Sequence, residues 1–184
     1  TQLDPRSNLP TGRLIEEHLR GLMGGQRPWA YLDLRIIGFE PFCEVYGWAA
    51  GDEVIRFMAI MIGEVIDEMG TPDDFVGHPG RDNFVVITHA TNTRALADQL
   101  LQRFADGVQQ HYSFIDRERG YMLLPADDAD LKRMPLMTLA LGMVSTGTHH
   151  FSDIREVIEL AASERRHHRD AGSSDAEPGI LTSW

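Results

Sequence analysis

The chain has 184 residues, 42% of them hydrophobic, and a formal net charge of −11. This suits one globular domain with a real core, and it excludes a general nucleic-acid or anionic-membrane surface, which needs a basic patch. The single cysteine, Cys43, excludes an internal disulfide and fits a reducing cytoplasm, and no apolar run approaches the roughly 18 residues of a membrane span.

In chain order, Ser7 or Thr11 is placed to cap a first helix over about residues 12–23, ended by Gly24-Gly25. Residues 29–37 are apolar and alternating, which predicts a strand. A short helix is expected from Phe39 to Tyr46. Gly51-Asp52 then opens an amphipathic helix with Val54, Phe57, Met58, Met61, Ile62, Val65 and Ile66 at helical spacing, its methionines serving as core. Gly77-His78-Pro79-Gly80-Arg81-Asp82-Asn83-Phe84, followed by Val85-Val86-Ile87-Thr88, reads as strand, tight polar turn, strand. Thr91-Asn92-Thr93 caps a helix to about Gln110. Residues 111–134 carry Asp116, Glu118, Asp127, Asp128 and Asp130 interleaved with Arg117 and Arg119, and are expected to form a loop or an extended hairpin arm. Leu136 to Ser145 is a buried strand, and Ser152-Asp153 caps a last helix. Residues 1–172 then form one domain and 173–184 a Ser/Asp/Gly/Pro-rich flexible tail. The β-α-α-β-β-α-β-α order predicts α/β or α+β packing around one mixed sheet.

Several segments together resemble the GGDEF family, the diguanylate cyclases that make cyclic di-GMP. Gly80-Arg81-Asp82-Asn83-Phe84 is similar to the signature hairpin, Asp4 to Pro10 to the opening Asp-Pro-Leu-Thr-Gly-Leu-Pro, and Phe39 to Asp52 to Phe-Lys-x-Ile-Asn-Asp-x-Tyr-Gly-His-x-x-Gly-Asp. Asp153 to Gly172 resembles the closing helix, and Asp116–Tyr121 through Pro135–Leu139 looks like an insertion found in one branch. The resemblance implies a GGDEF-like, nucleotide-cyclase-type α/β fold, a central mixed sheet flanked by helices.

It also implies a chemistry. Two GTP-loaded subunits meet face to face, and each 3′-hydroxyl attacks the partner's α-phosphate, with catalysis by positioning and cation clamping. Two Mg²⁺ ions take hard carboxylate oxygens from an Asp at the end of the first strand and an acid in the hairpin turn. The first position falls on Arg35, which repels a cation. Asp33, two residues earlier, shares its strand face, and Asp82 holds the hairpin position. Their non-ligand readings are a solvated or capping Asp33 and an Asp82 bonded to its own turn backbone. Arg81 replaces a turn glycine and either blocks the phosphates or takes a left-handed conformation. Glu40 replaces a phosphate-side Lys. Cys43 replaces the Asn that reads guanine. Asp52 and Arg169 keep the family's charge and are the nucleotide-binding candidates. At the family's product-inhibition site, here Thr71-Pro72-Asp73-Asp74, Asp74 survives and the Arg does not.

His149-His150 and His167-His168 read as solvated, since adjacent helical residues diverge by about 100°. No Walker loop, Rossmann fingerprint or hydrolase elbow is present. The expectation is a catalytically inactive GGDEF-like regulatory or interaction module of bacterial, cytoplasmic signalling. No catalytic residue and no cofactor is expected, with Mg²⁺ only if a nucleotide binds. The chain begins at Thr1 without Met, which suggests a piece of a larger protein whose neighbouring sensor or phospho-receiver domain is its partner, alongside a homodimer. Two alternatives stay open: an active cyclase with Asp33 and Asp82 as metal ligands, or a GTP sensor without turnover.

Overall fold

The structure is a computed structural model and describes residues 2–126 and 130–172, with side chains to residue 168. Asp127, Asp128 and the expected flexible tail lie outside the described residues. Among the described residues, six α-helices and six strands follow one another: α1 (Gly12–Met23), β1 (Ala30–Ile37), α2 (Phe39–Tyr46), α3 (Trp48–Met69), β2 (Phe75–Gly80), β3 (Asn83–Thr88), α4 (Thr93–Val108), α5 (Phe114–Arg119), β4 (Tyr121–Pro125), β5 (Leu131–Pro135), β6 (Thr138–Ser145) and α6 (Ile154–Gly172).

Local chemistry accounts for most of these bounds. Asn92 accepts from the Ala95 amide at 3.2 Å and starts α4. Asp153 accepts from the Arg155 and Glu156 amides at 2.8 and 3.1 Å and starts α6. Thr11 is the N-cap residue of α1, but its hydroxyl donates to Gln2 O at 3.2 Å instead of capping. The third helix begins at Trp48, before the expected Gly51, because Gly47 at φ 96° turns the chain directly from α2 into it. The mixed segment after α4 resolves into the short α5, capped by Ser113, and the β4–β5 hairpin.

The central sheet runs β2-β3-β1-β6. Helices flank it as the sequence predicts, but every pairing within it is antiparallel, where the sequence predicts a mixed sheet. Each helical crossover does join parallel strands, β1 to β2 and β3 to β6. A third strand lies between the members of each such pair.

Alternation along the strands splits the core in two. Leu32, Leu34, Ile36, Phe84 and Val86 pack under α2, α3 and α4. Tyr31, Val85, Ile87 and Val144 pack under α1 and α6, against Ile15, Leu19, Val157 and Ala161. Asp33 and Arg35 share the second face with Tyr31.

The N-terminal loop is tied to the hairpin through His78. The imidazole is buried and stacked on Phe84 with centroids 4.2 Å apart. Its Nδ1 lies 2.8 Å from Ser7 Oγ and its Nε2 3.0 Å from Arg81 O. Asn8 takes φ 58° where the family motif has glycine, a conformation Asn tolerates. Burial holds His78 below its ordinary pKa, and burial likewise lowers His18, His111 and His168. A depressed folded-state value means the unfolded chain binds protons more readily below about pH 6.5. The stability these residues contribute is therefore in place above that pH and is lost as pH falls through their folded values. Asp33, pushed up by burial, acts in the opposite sense. The expected result is a falling thermal midpoint from pH 7.5 to 5, with a shallower fall in His78→Gln. Equal slopes in the two proteins would remove His78 from the account.

Candidate functional site

Five side chains meet where the end of β1, the β2–β3 turn and α6 come together. Asp33 is buried on β1 and accepts from Asn83 Nδ2 at 2.8 Å, and the same amide donates to Leu34 O at 2.7 Å. Arg165, reaching in from α6, places Nε 3.1 Å from Asp33 Oδ1, although not aligned as a hydrogen bond. Burial raises the Asp33 carboxyl, while Arg165 and Asn83 pull it down. Burial lowers Arg165, and Asp33 offsets that. Outside this buried pair, Arg35 Nε contacts Asp82 Oδ1 at 3.4 Å, and the Asp82 carbonyl accepts from the Ile36 amide at 2.9 Å. Neither non-ligand reading from the sequence holds. Asp33 is not solvated, and the Asp82 side chain bonds Arg35 rather than its own turn.

The turn itself is Arg81-Asp82 between the paired residues Gly80 and Asn83. Among the described residues other than glycine only Asn8 has positive φ, so Arg81 is not in the left-handed conformation. Its side chain runs along the surface and sets its guanidinium 4.6 Å from the ring centroid of Trp48. Arg81 thereby bridges the hairpin turn to the start of α3, the region where the resemblance implies a nucleotide.

On the α2–α3 side, Glu40 is exposed and Asp52 half-buried. Cys43 is buried, and burial pushes its thiol up to about 11, against the pull of the Arg81 charge. A neutral thiol there offers neither a strong acceptor nor paired donors. Arg169 is on α6, and its side chain lies outside the described residues.

At the other end of the sheet, Asp74 is spent on structure. It accepts from the Thr71 amide at 2.9 Å, the Thr71 hydroxyl, Thr88 Oγ1 at 2.6 Å and the His89 amide at 3.0 Å. Burial alone would raise this carboxyl, but those bonds hold it below its ordinary value. Its neighbour Asp73 pairs with Arg27 at 2.7 Å. His149, His150 and His167 are exposed as expected. His168 is buried beside Glu164 at 3.3 Å, because it continues the inward stripe of α6.

The chain matches the family model for the diguanylate cyclase GGDEF domain over residues 1–174. It belongs to the GGDEF domain family. A diguanylate cyclase of Vibrio cholerae is 29% identical over 100 residues, which are 53% of this chain and 29% of that protein. This chain thus spans about three-tenths of that relative. The GGDEF domain of DgcB from Caulobacter crescentus, solved with c-di-GMP, superposes with a TM-score of 0.65 at 19% identity, over 94% of this chain and 92% of that one. Diguanylate cyclase SiaD from Pseudomonas aeruginosa, solved with its activator SiaC, gives 0.65 at 18%, over 94% and 59%. At such identities the structural matches establish the fold.

The family uses Mg²⁺, and the residues of this GGDEF domain do not fit it. Asp33 and Asp82 are each engaged by an arginine, and the described residues contain no group of three His, Cys, Asp or Glu able to hold a metal. A guanidinium already balances each carboxylate, so an incoming dication meets positive charge on both.

The sequence missed Arg165 and the paired use of Asn83. A signal for Arg165 existed: Val157, Ala161 and Arg165 recur every four residues on one helix face, and the first two are apolar. Nothing in the sequence signals that Arg81 folds onto Trp48.

Proposed function

We propose that this GGDEF domain is a non-catalytic regulatory or interaction module of a signalling protein. One observation carries the reading: the two carboxylates available for metal are neutralised from within the domain, Asp33 by Arg165 and Asp82 by Arg35. Phosphoryl transfer between GTP molecules depends on cation clamping and exact placement, and neither has a place to be built here. Further support comes from Arg81 set on Trp48, and from Cys43 and Glu40 at the positions where the resemblance implies a base reader and a phosphate-side cation. Asp74 is consumed by Thr71, Thr88 and His89, which argues against cyclic di-GMP binding at residues 71–74. The activator complex of SiaD is a precedent for a GGDEF protein engaging a partner. A cytoplasmic setting and a neighbouring sensor or receiver domain complete the proposal. Among the described residues no helix is long and apolar enough to cross a membrane.

The test is direct. The purified protein is incubated with GTP and Mg²⁺, and cyclic di-GMP is quantified by chromatography. Product at the level of a no-enzyme control is expected, and clear turnover would end the proposal. Calorimetric titration with GTP, with and without Mg²⁺, is expected to give no heat of binding. A dissociation constant in the low micromolar range would instead favour a GTP sensor.

A further inference from the structure

The β4–β5 hairpin is a two-stranded sheet of its own, so each of its strands has a free edge among the described residues. The register tells which backbone groups face those edges. The Ala126 amide donates to the Asp130 carbonyl at 3.0 Å where the hairpin closes. Beyond that pair, Pro125 lies opposite Leu131, Leu123 opposite Arg133 and Tyr121 opposite Pro135. Bonded and non-bonded pairs alternate along an antiparallel ladder. Met122 and Leu124 therefore bond to β5, while Tyr121, Leu123 and Pro125 turn their backbone groups away from it. The prolines agree, since neither Pro125 nor Pro135 has an N–H to give to a bonded pair. Leu123 thus offers both its N–H and its C=O to the outer edge of β4.

A groove of about 410 Å³ follows that edge, lined by Glu44 and Val45 of α2 and by Leu123, Leu124 and Pro125 of β4. Consecutive strand residues point to opposite faces, so a groove that touches both Leu123 and Leu124 runs along the edge and not over a face. No β5 residue lines it, so the edge is the one away from β5. Tyr46, beside Val45, anchors α2 to the start of α5, the helix before β4, through Ser113 Oγ at 3.3 Å and through Asp116.

The two edges of the hairpin differ in chemistry. β5 carries Lys132, Arg133 and Pro135, residue types that guard an edge against pairing. β4 reads Tyr-Met-Leu-Leu-Pro, without a charge. The charged wall of the groove is Glu44, and Glu40 stands one turn earlier on α2, both exposed. Neither glutamate forms an ion pair among the described residues. An unguarded strand edge beside an apolar groove with an acidic rim is suited to strand addition. The glutamates and the net charge of −11 set the sign of the occupant as positive, and they disfavour a second copy of this chain.

We propose that the outer edge of β4 binds an extended, basic and apolar segment of a partner protein by strand addition. The Leu123 N–H and C=O make the main-chain hydrogen bonds, Val45 and Leu124 take an apolar side chain, and Glu44 pairs with a lysine or arginine. The proposal rests on the interaction reading above and gives it a surface and a ligand chemistry.

The probe is a fluorescein-labelled peptide of about eight residues alternating Lys and Val. It is titrated with the whole chain in the absence of nucleotide and read by anisotropy, so failure here is separate from any turnover found with GTP. Binding at roughly 10–100 μM that weakens in high salt is expected. A matched Glu–Val peptide should not bind. Alternate amides of an added strand face the protein, so N-methylation of every Lys and of every Val should have unequal effects. One should abolish binding and the other leave it within about threefold. Glu44→Lys should weaken binding by about tenfold or more. Leu123→Pro removes the outward N–H while sparing the ladder to β5, and should weaken binding to a similar degree. Circular dichroism checks that both variants stay folded. No binding at about 1 mM peptide, equal binding of the Glu–Val peptide, equal effects of the two methylations, or indifference to Glu44→Lys would each overturn the proposal. So would a dimer of the chain that the peptide competes with, since a second copy would then be the occupant.

Discussion

Arg165→Ala is expected to destabilise the domain by about 3–5 kcal/mol, because it strands a carboxylate inside the protein. The side chains of Arg165 and Asp33 are only 8% and 7% exposed. Without the guanidinium, Asp33 retains the hydrogen bond from the Asn83 amide. Asp33→Ala should cost a similar amount, by leaving the arginine buried without its counter-ion. The pair as a whole is a different matter. Desolvating two ions costs nearly what their attraction returns, so an apolar pair of similar volume is often neutral or stabilising. Asp33→Leu with Arg165→Met is therefore expected to stay within about 1 kcal/mol of the wild type or to exceed it. Asn83 Nδ2 keeps its bond to Leu34 O in that variant. Urea unfolding of the two single variants and the double, read as a double-mutant cycle, measures this. Additive single-mutant losses would show that the two groups do not act as a pair.

Gly142→Ala is expected to cost about 3 kcal/mol or more, at the upper end of overpacking effects, because the obstruction is backbone. Gly142 sits opposite Asp33 across the β1–β6 pairing, directly beneath α6. A Cβ there would meet the Ala161 carbonyl oxygen and the Arg165 amide nitrogen, and would stand 2.8 Å from Arg165 Cα. A side chain could rotate away, but the helix can only lift. Lifting α6 also draws Arg165 off Asp33, so Arg165→Ala should cost less in the Gly142→Ala background than alone. Gly63→Ala in α3 is the control. Nothing lies within 4 Å of its added Cβ, and a small gain of about 0.5–1 kcal/mol is expected from helix propensity. A Gly142→Ala protein as stable as the wild type would mean that α6 does not pack as closely as described.

The metal expectation and these stability predictions have one origin. The resemblance implies a cyclase in which the end of β1 and the hairpin turn present carboxylates to an external cation. In this chain Arg35 and Arg165 supply positive charge from within, and the network closes on itself. Arg81, set on Trp48, adds a third cation to the same region.

The sequence by itself determined the elements and the family resemblance. Apolar periodicity distinguishes α3 from β3, Asn92 and Asp153 mark helix starts, and the Gly80–Phe84 hairpin stands out against flanking β-branched residues. These signals are local and survive without knowledge of contacts. The resemblance also led to the expectation that Arg35, Glu40, Cys43 and Arg81 stand at positions where the family's motifs carry other residues, an expectation that needs residue identities and no coordinates. What it did not reach were the partners of the charged residues. Asp33 and Arg165 are 132 positions apart, and whether an aspartate at a strand end is solvated, ligating or ion-paired depends on which helix lies over that face. The antiparallel sheet, the placement of His168 and the flat lie of Arg81 were likewise decided by packing. Side-chain electrostatics are set by distance and burial, and both belong to the tertiary structure.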